Sequence, residues 1–303
     1  MTGVQTCALP ISVQLVSRNQ QTIARTATVS GYGYWSGLDV TVEFRPAAPD
    51  SGVVFVRRDV IGTPRIPASV EFRADVPRRT VLADRGVSVD MVEHVLAALA
   101  GLRIDNCEIW VDRAEMPGCD GSSQAYVEAL LGARIVRQDD VRRQLIIAQS
   151  TRVGDSQSWI QADPDFGSLT IQYHLDYSDH PVIGKQSHSI EVTPRSFVEQ
   201  LAPARTFLLK HEADWLREQG FGLRTRYEDL LVFDANGPIQ NQLRYPDECV
   251  RHKTLDVIGD LMLAHCDILG RITAYRSGHQ LNAELVRVLL AQSQIQRPIL
   301  KCA

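Results

Sequence analysis

Three polar residues in one helical stretch are spaced for chemistry. In VRHKTLDVIGD, residues 250–260, His252, Asp256 and Asp260 recur at every fourth position among apolar Val250, Leu255, Val257 and Ile258. A helix turns by about 100° per residue, so these three side chains share one stripe. An imidazole followed four residues later by a carboxylate is, taken alone, more often a surface pair contributing about 0.2 to 0.5 kcal/mol. The alternative is a pair of metal ligands on a rigid scaffold, which requires a third ligand from elsewhere in the chain.

The best third ligand is His94, in the helical stretch DMVEHVLAALA at residues 90–100. Its neighbour Glu93 has a plain explanation too: with Asp90 as N-cap it stands at the third helical position, where a glutamate closes a capping box. Two imidazoles and one carboxylate leave a fourth position open for water, the arrangement of a catalytic zinc, here one ion per chain. The same ligand set also binds Fe(II) in oxygenases. Zinc brings the pKa of bound water towards about 7, and Glu93 is suited to accept the proton. Hydrolysis of an amide further needs an acid for the departing amine. His279 in YRSGH, expected in a Gly-containing loop after a strand, fits that need, with Asp260 to orient its ring and keep it cationic. Cys249 reads as a buried thiol and not as a ligand.

The elements that must position these residues belong to a chain of 303 residues, 44% hydrophobic and 22% charged, enough for two cores of ordinary size. A net charge of −4 gives no basic field for nucleic acid. The longest apolar runs, such as VLAALAGL at 95–102, fall short of the roughly 20 residues that span a bilayer. The six cysteines form no CxxC pair, which suits a reducing cytoplasm. No obligate protein partner is evident. Residues 1–12 lack periodicity and are expected to be an artefact of sequence assembly or a leader without structure.

From Gln20 onward, Thr- and Val-rich strands flank a turn punctuated by Gly31, Gly33 and Gly37. Because DVTVEF and not a helix follows, a dinucleotide loop is a weak reading of these glycines. The helix ending near Gly101 leads to the strand CEIWVD, and Asp120 and Ser122 announce another helix. The charged stretch at 137–144 marks the expected boundary between an N-terminal α+β domain, 13–140, and a C-terminal one, 141–303. The second half repeats the order, with strands QLIIAQS, SWIQAD and LTIQYHLDY, a helix near 194–202, the His252 helix and the strand ILGRITAY. The expected fold is therefore α+β: two similar domains, each a sheet packed with helices, with the site between them.

MVEHVLAALAGLRIDN, HKTLDVIGD and AYRSGH, with FRPA (44–47), DGS (120–122), DHPVIG (179–184) and ARTF (204–207), make the chain from about Gln20 to Leu290 resemble the bacterial UDP-3-O-acyl-N-acetylglucosamine deacetylases of lipid A synthesis. The resemblance implies a cytoplasmic zinc hydrolase that acts on an acylated UDP-sugar. His94, His252 and Asp256 would bind zinc, Glu93 would be the base, and His279 supported by Asp260 would protonate the leaving amine. Thr206 would donate a hydroxyl to the oxyanion. Phe207 to Leu223 would form an apolar passage for the acyl chain, and Lys253 would hold phosphates. The chain departs from the family at Trp35, where a histidine is usual, and at Arg276, where a lysine is common; both concern substrate contacts. Three rivals remain at this point: a ferrous oxygenase, which leaves Glu93 and His279 idle; a silent binding protein, which predicts loss of a site residue; and a deacetylase of another sugar.

Overall fold

The computed structural model describes residues 17–165 and 167–295; the expectation for residues 1–12 lies outside them. Six α-helices are described: α1 Glu93–Gly101, α2 Gln124–Gly132, α3 Pro194–Gln200, α4 Lys210–Glu218, α5 Glu248–Leu261 and α6 His279–Ile295. None is long and apolar enough to cross a membrane among the described residues.

The strands alternate as a half-buried sheet requires. In Asp39–Pro46, Val40, Val42 and Phe44 point into the core while Thr41 and Glu43 are half-buried. This strand lies in a five-stranded sheet ordered Ala27–Tyr32, Asp39–Pro46, Cys107–Val111, Val53–Arg57, Arg65–Pro67. A second sheet runs Thr151–Gly154, Trp159–Asp163, Asp267–Tyr275, Leu169–Tyr177, Gly184–Glu191, with Gln144–Ile146 paired to the start of Asp267–Tyr275. The two sheets share one plan. In each, a late strand is inserted between two earlier hairpins, antiparallel to one neighbour and parallel to the other. In each, the helix before that strand, α1 or α5, carries candidate ligands, and another helix follows it. The mixed α and β composition and the sheets packed with helices agree with the expected α+β class.

α5 is buried on nearly every side, including at His252, Asp256 and Asp260. It packs against α1, α6 and the second sheet. The crossing with α1 is close because of Gly259: a Cβ there would stand 2.2 Å from the carbonyl oxygen of Glu93. A glycine is needed where backbones approach so tightly.

Two further units join the halves. Asn19–Ile23 pairs antiparallel with Ile135–Val141, so the charged stretch read as the domain boundary begins as a strand. Beside it, the Arg18 guanidinium binds Asp105 at 2.7 Å and Asp267 at 2.7 Å, one carboxylate from each half. Between α3 and α5 a small βαβ unit is inserted, in which Phe207–Leu209 lies parallel to Leu231–Asp234 with α4 between them. The unit thus extends beyond the expected end at Leu223, because its return strand closes only at Asp234.

Candidate active site and metal centre

α1 and α5 present His94, His252 and Asp256 to one another, and the three donor atoms all lie within 4.8 Å of one another. Nε2 of His252 is 3.4 Å, and Nε2 of His94 3.8 Å, from Asp256 Oδ1. The two rings meet edge-on, with centroids 5.0 Å apart at 80°. His252 Nδ1 donates to the Ala204 carbonyl at 3.1 Å, which leaves its Nε2 lone pair facing the cluster. Burial, reinforced by neighbouring His252, lowers His94 to about 3. Burial likewise lowers His252, against the pull of Asp256. Both imidazoles are therefore neutral at physiological pH. Asp256 is the reverse case. Burial would raise it, but Lys253 and then His252 hold it below the usual carboxylate range. Its Oδ2 accepts from Lys253 Nζ at 2.6 Å, while Oδ1 is buried with no hydrogen-bond partner. Such an oxygen is costly unless something satisfies it. Two neutral imidazole nitrogens and an ionised, unpartnered carboxylate oxygen fit a divalent cation.

Glu93 opens α1 as its first residue, after Val92 at the cap. The capping-box explanation therefore does not hold. The chain enters α1 through a left-handed bend at Met91, φ 59°, and Glu93 Oε2 instead accepts the Thr80 amide at 3.0 Å. Burial lifts the Glu93 carboxyl to about 7, with His279 pulling the other way.

His279 is the first residue of α6 and not part of the preceding loop. Its Nδ1 donates to Asp260 Oδ2 at 2.8 Å, and its Nε2 stands 4.0 Å from Glu93 Oε1 and 3.9 Å from Asp256 Oδ2. Burial would lower this imidazole, but Asp260, by charge and hydrogen bond, raises it to about 9. Asp260 is in turn fixed by Thr80 Oγ1 at 2.6 Å and Asn282 Nδ2 at 2.8 Å. Thr80 and Asn282 were not singled out from the sequence. Asn282 carried a weak signal, lying one helical turn after His279; Thr80 is separated by 180 positions from Asp260 and offered none.

These groups open into a cavity of about 970 Å³, lined by every predicted site residue except Asp260, which is buried behind His279. Thr206 lines it beside Gly121, where a φ of +77° and the 2.9 Å at which an added Cβ would meet Thr206 Cγ2 demand glycine. Phe207 lies edge-on to Tyr177, with centroids 5.6 Å apart. Arg276 and Lys253 line the cavity along with Tyr173 and Asp176, while the inserted unit contributes apolar Leu216, Leu230 and Val232. Trp35 stands at the cavity wall against Phe221. Cys249 is buried and free, outside the ligand cluster.

Residues 20–291 match the family model described as UDP-3-O-acyl N-acetylglycosamine deacetylase. Among curated proteins, the chain is 38% identical over 280 residues to the UDP-3-O-acyl-N-acetylglucosamine deacetylase of Mannheimia succiniciproducens, covering 91% of each chain. It is 38% identical over 276 residues to that of Psychrobacter arcticus, covering 90% of this chain and 86% of the relative. The Haemophilus influenzae protein of the same name is 38% identical over 279 residues, 91% of each chain. With the match spanning both sheets and all the helices that carry the site, the chain belongs to the UDP-3-O-acyl-N-acetylglucosamine deacetylase family of hydrolases.

Proposed function

We propose that this chain hydrolyses the N-acetyl group of UDP-3-O-[(3R)-3-hydroxyacyl]-N-acetylglucosamine, giving acetate and the free amine, the committed step of lipid A biosynthesis. It acts in the cytoplasm, a setting in keeping with its free cysteines, through two domains, 13–140 and 141–303, that share the site. The observation that carries this reading is Asp256 Oδ1, buried, ionised and without a donor, facing two neutral imidazoles. His94, His252 and Asp256 would hold one Zn²⁺, the usual occupant of a three-ligand hydrolytic site. When bound, that cation supplies Lewis-acid polarisation and makes water acidic near neutrality.

The chain's own residues do the rest. Glu93, with its carboxyl near 7, accepts a proton from the attacking water. Water oxygen adds to the acetyl carbonyl, and Thr206 donates its hydroxyl to the oxyanion that forms. His279, cationic because of Asp260, gives its proton to the amine nitrogen as the C–N bond breaks. Opposite protonation in two groups 4.0 Å apart is the signature of a divided acid and base. Lys253 commits one of three donors to Asp256 and has two for phosphate; Arg276 adds charge from the same cavity, and Phe207 with the inserted unit receives the acyl chain. A ferrous oxygenase would use neither Glu93 nor His279.

The test is metal analysis of the purified protein together with acetate release from the acylated UDP-sugar before and after chelation. One zinc per chain with chelator-sensitive acetate release is expected. Turnover that survives complete metal removal would overturn the reading.

A further inference from the structure

Trp35 stands where two distant parts of the chain meet over the cavity. It lies in the turn between Ala27–Tyr32 and Asp39–Pro46, and its ring meets Phe221 of the inserted unit edge-on, with centroids 5.3 Å apart at 69°. The Arg79 guanidinium covers the same indole, 4.2 Å from its centroid. Arg79 Nε is buried without a hydrogen-bond partner, and its nearest carboxylate oxygen, on Asp90, is 3.7 Å away; the indole face is therefore a principal contact of this cation. The turn is pinned from below. Buried Glu115 accepts the backbone N–H groups of Trp35 at 2.7 Å and Ser36 at 2.8 Å. It is pinned to the inserted unit as well. Tyr32 Oη donates to Asp229 Oδ2 at 2.6 Å, Tyr34 Oη donates to the Asp229 carbonyl at 2.6 Å, and Arg224 lies over the Tyr32 ring at 4.3 Å.

Phe221 is 42% exposed, whereas Leu216, Leu230 and Val232 of the same unit are buried. The Trp35–Phe221 contact therefore lies at the solvent end of the apolar lining. The polar lining, with the cationic Lys253 and Arg276, comes from other elements and suits the phosphates of the nucleotide.

We infer that Trp35 and Phe221 form a bar across the outer end of the apolar lining and set the longest acyl chain that the cavity buries, with Arg79 as the residue that positions Trp35. The inference rests on the proposed function. Each methylene buried before the bar is reached raises kcat/KM about fourfold, the equivalent of about 0.8 kcal/mol. Methylenes beyond it stay in water and add nothing.

The experiment measures kcat/KM for a series of substrates with 3-O-acyl chains of increasing length. The wild type should rise and then level off. Trp35→Ala and Phe221→Ala should level off at longer chains, raising the long-to-short ratio about fourfold per additional buried methylene. Arg79→Met, which keeps bulk but lacks charge, should shift the profile part of the way; a merely structural role would depress all lengths alike. Should Trp35→Ala not fold, exposed Phe221 decides alone. Levelling at an unchanged length, or a uniform loss at all lengths as expected if Trp35 stacked on the sugar, overturns the inference. Dissociation constants for the same series, measured on Glu93→Ala to prevent turnover, should show the same shift. Length-dependent binding without acetate release from the wild type would sink the deacetylase reading alone.

Discussion

Asp260 holds the imidazole of His279 at 2.8 Å, closer than Asp256 at 3.9 Å or Glu93 at 4.0 Å, and both partners are buried. Under the proposed function, the third member of the α5 stripe serves the acid, while the first two serve the cation. One helix face is divided between two tasks by a single turn. Replacing Asp260 by Asn keeps the shape and removes the charge that raises His279. We expect kcat to fall about 10- to 100-fold with KM little changed and metal content intact. The alkaline limb of the rate profile should move to lower pH, because a less basic His279 loses its proton sooner. An unmoved limb would argue against His279 as the acid.

Glu93 and His252 should separate by metal content. Glu93→Ala is expected to retain the cation and lose about 10²- to 10⁴-fold in turnover, the usual contribution of a general base. His252→Ala should lose the cation itself. Elemental analysis beside steady-state rates checks both, and equal metal in the two variants with unchanged activity would reject the assignment.

Gly259→Ala tests the helix crossing. Alanine favours a helix by up to about 1 kcal/mol over glycine, yet its Cβ would meet the Glu93 carbonyl oxygen at 2.2 Å. Overpacking costs about 1 to 3 kcal/mol, so the clash should win. The melting temperature should drop by several degrees, and metal affinity should weaken as His94 moves from His252. A higher melting temperature would refute the close packing.

His265 supplies a pH prediction away from the site. Burial, with Arg142 and Arg143 adding repulsion, lowers its imidazole to about 4. Above the ordinary value near 6.5 the ring is neutral both folded and unfolded, and stability is complete. As pH falls from there towards 4, the unfolded chain takes up the proton first and stability is lost, on the order of 1 to 2 kcal/mol after allowing for partial exposure. His265→Asn suits the left-handed backbone, φ 55°. The fall in melting temperature between pH 7 and 5, measured with chelator present, should be smaller in the variant than in the wild type.

Residues whose meaning lies in helical spacing were legible before the fold was known. The His252–Asp256–Asp260 stripe needs only the helical period, which α5 follows, whereas the adjacent Glu93 and His94 are found from the equivalent place of their helix in the first half. The residues that hold Glu93 and Asp260 in place were not legible. Thr80 reaches Glu93 by its backbone and Asp260 by its side chain, the latter a juxtaposition created by tertiary packing between parts of the chain 180 positions apart. The capping alternative for Glu93 fails because a left-handed residue at Met91, and not a capping side chain, turns the chain into α1. The common plan of the two sheets was visible only as a coarse echo, since periodicity reports which face a strand buries and not which strand lies beside it.

Under the proposed function, the division of the ligand set between α1 and α5 links cation binding to the union of the two halves. His94 comes from one and His252 with Asp256 from the other, so neither half alone offers more than part of the coordination sphere. A cation that binds only the docked arrangement stabilises it by mass action, by about 2.7 kcal/mol at a free concentration a hundred times the dissociation constant. By the same linkage, any ligand or substitution that loosens the seam between the halves weakens metal retention, so the rate of metal release to a chelator is a measure of how firmly the two sheets are joined.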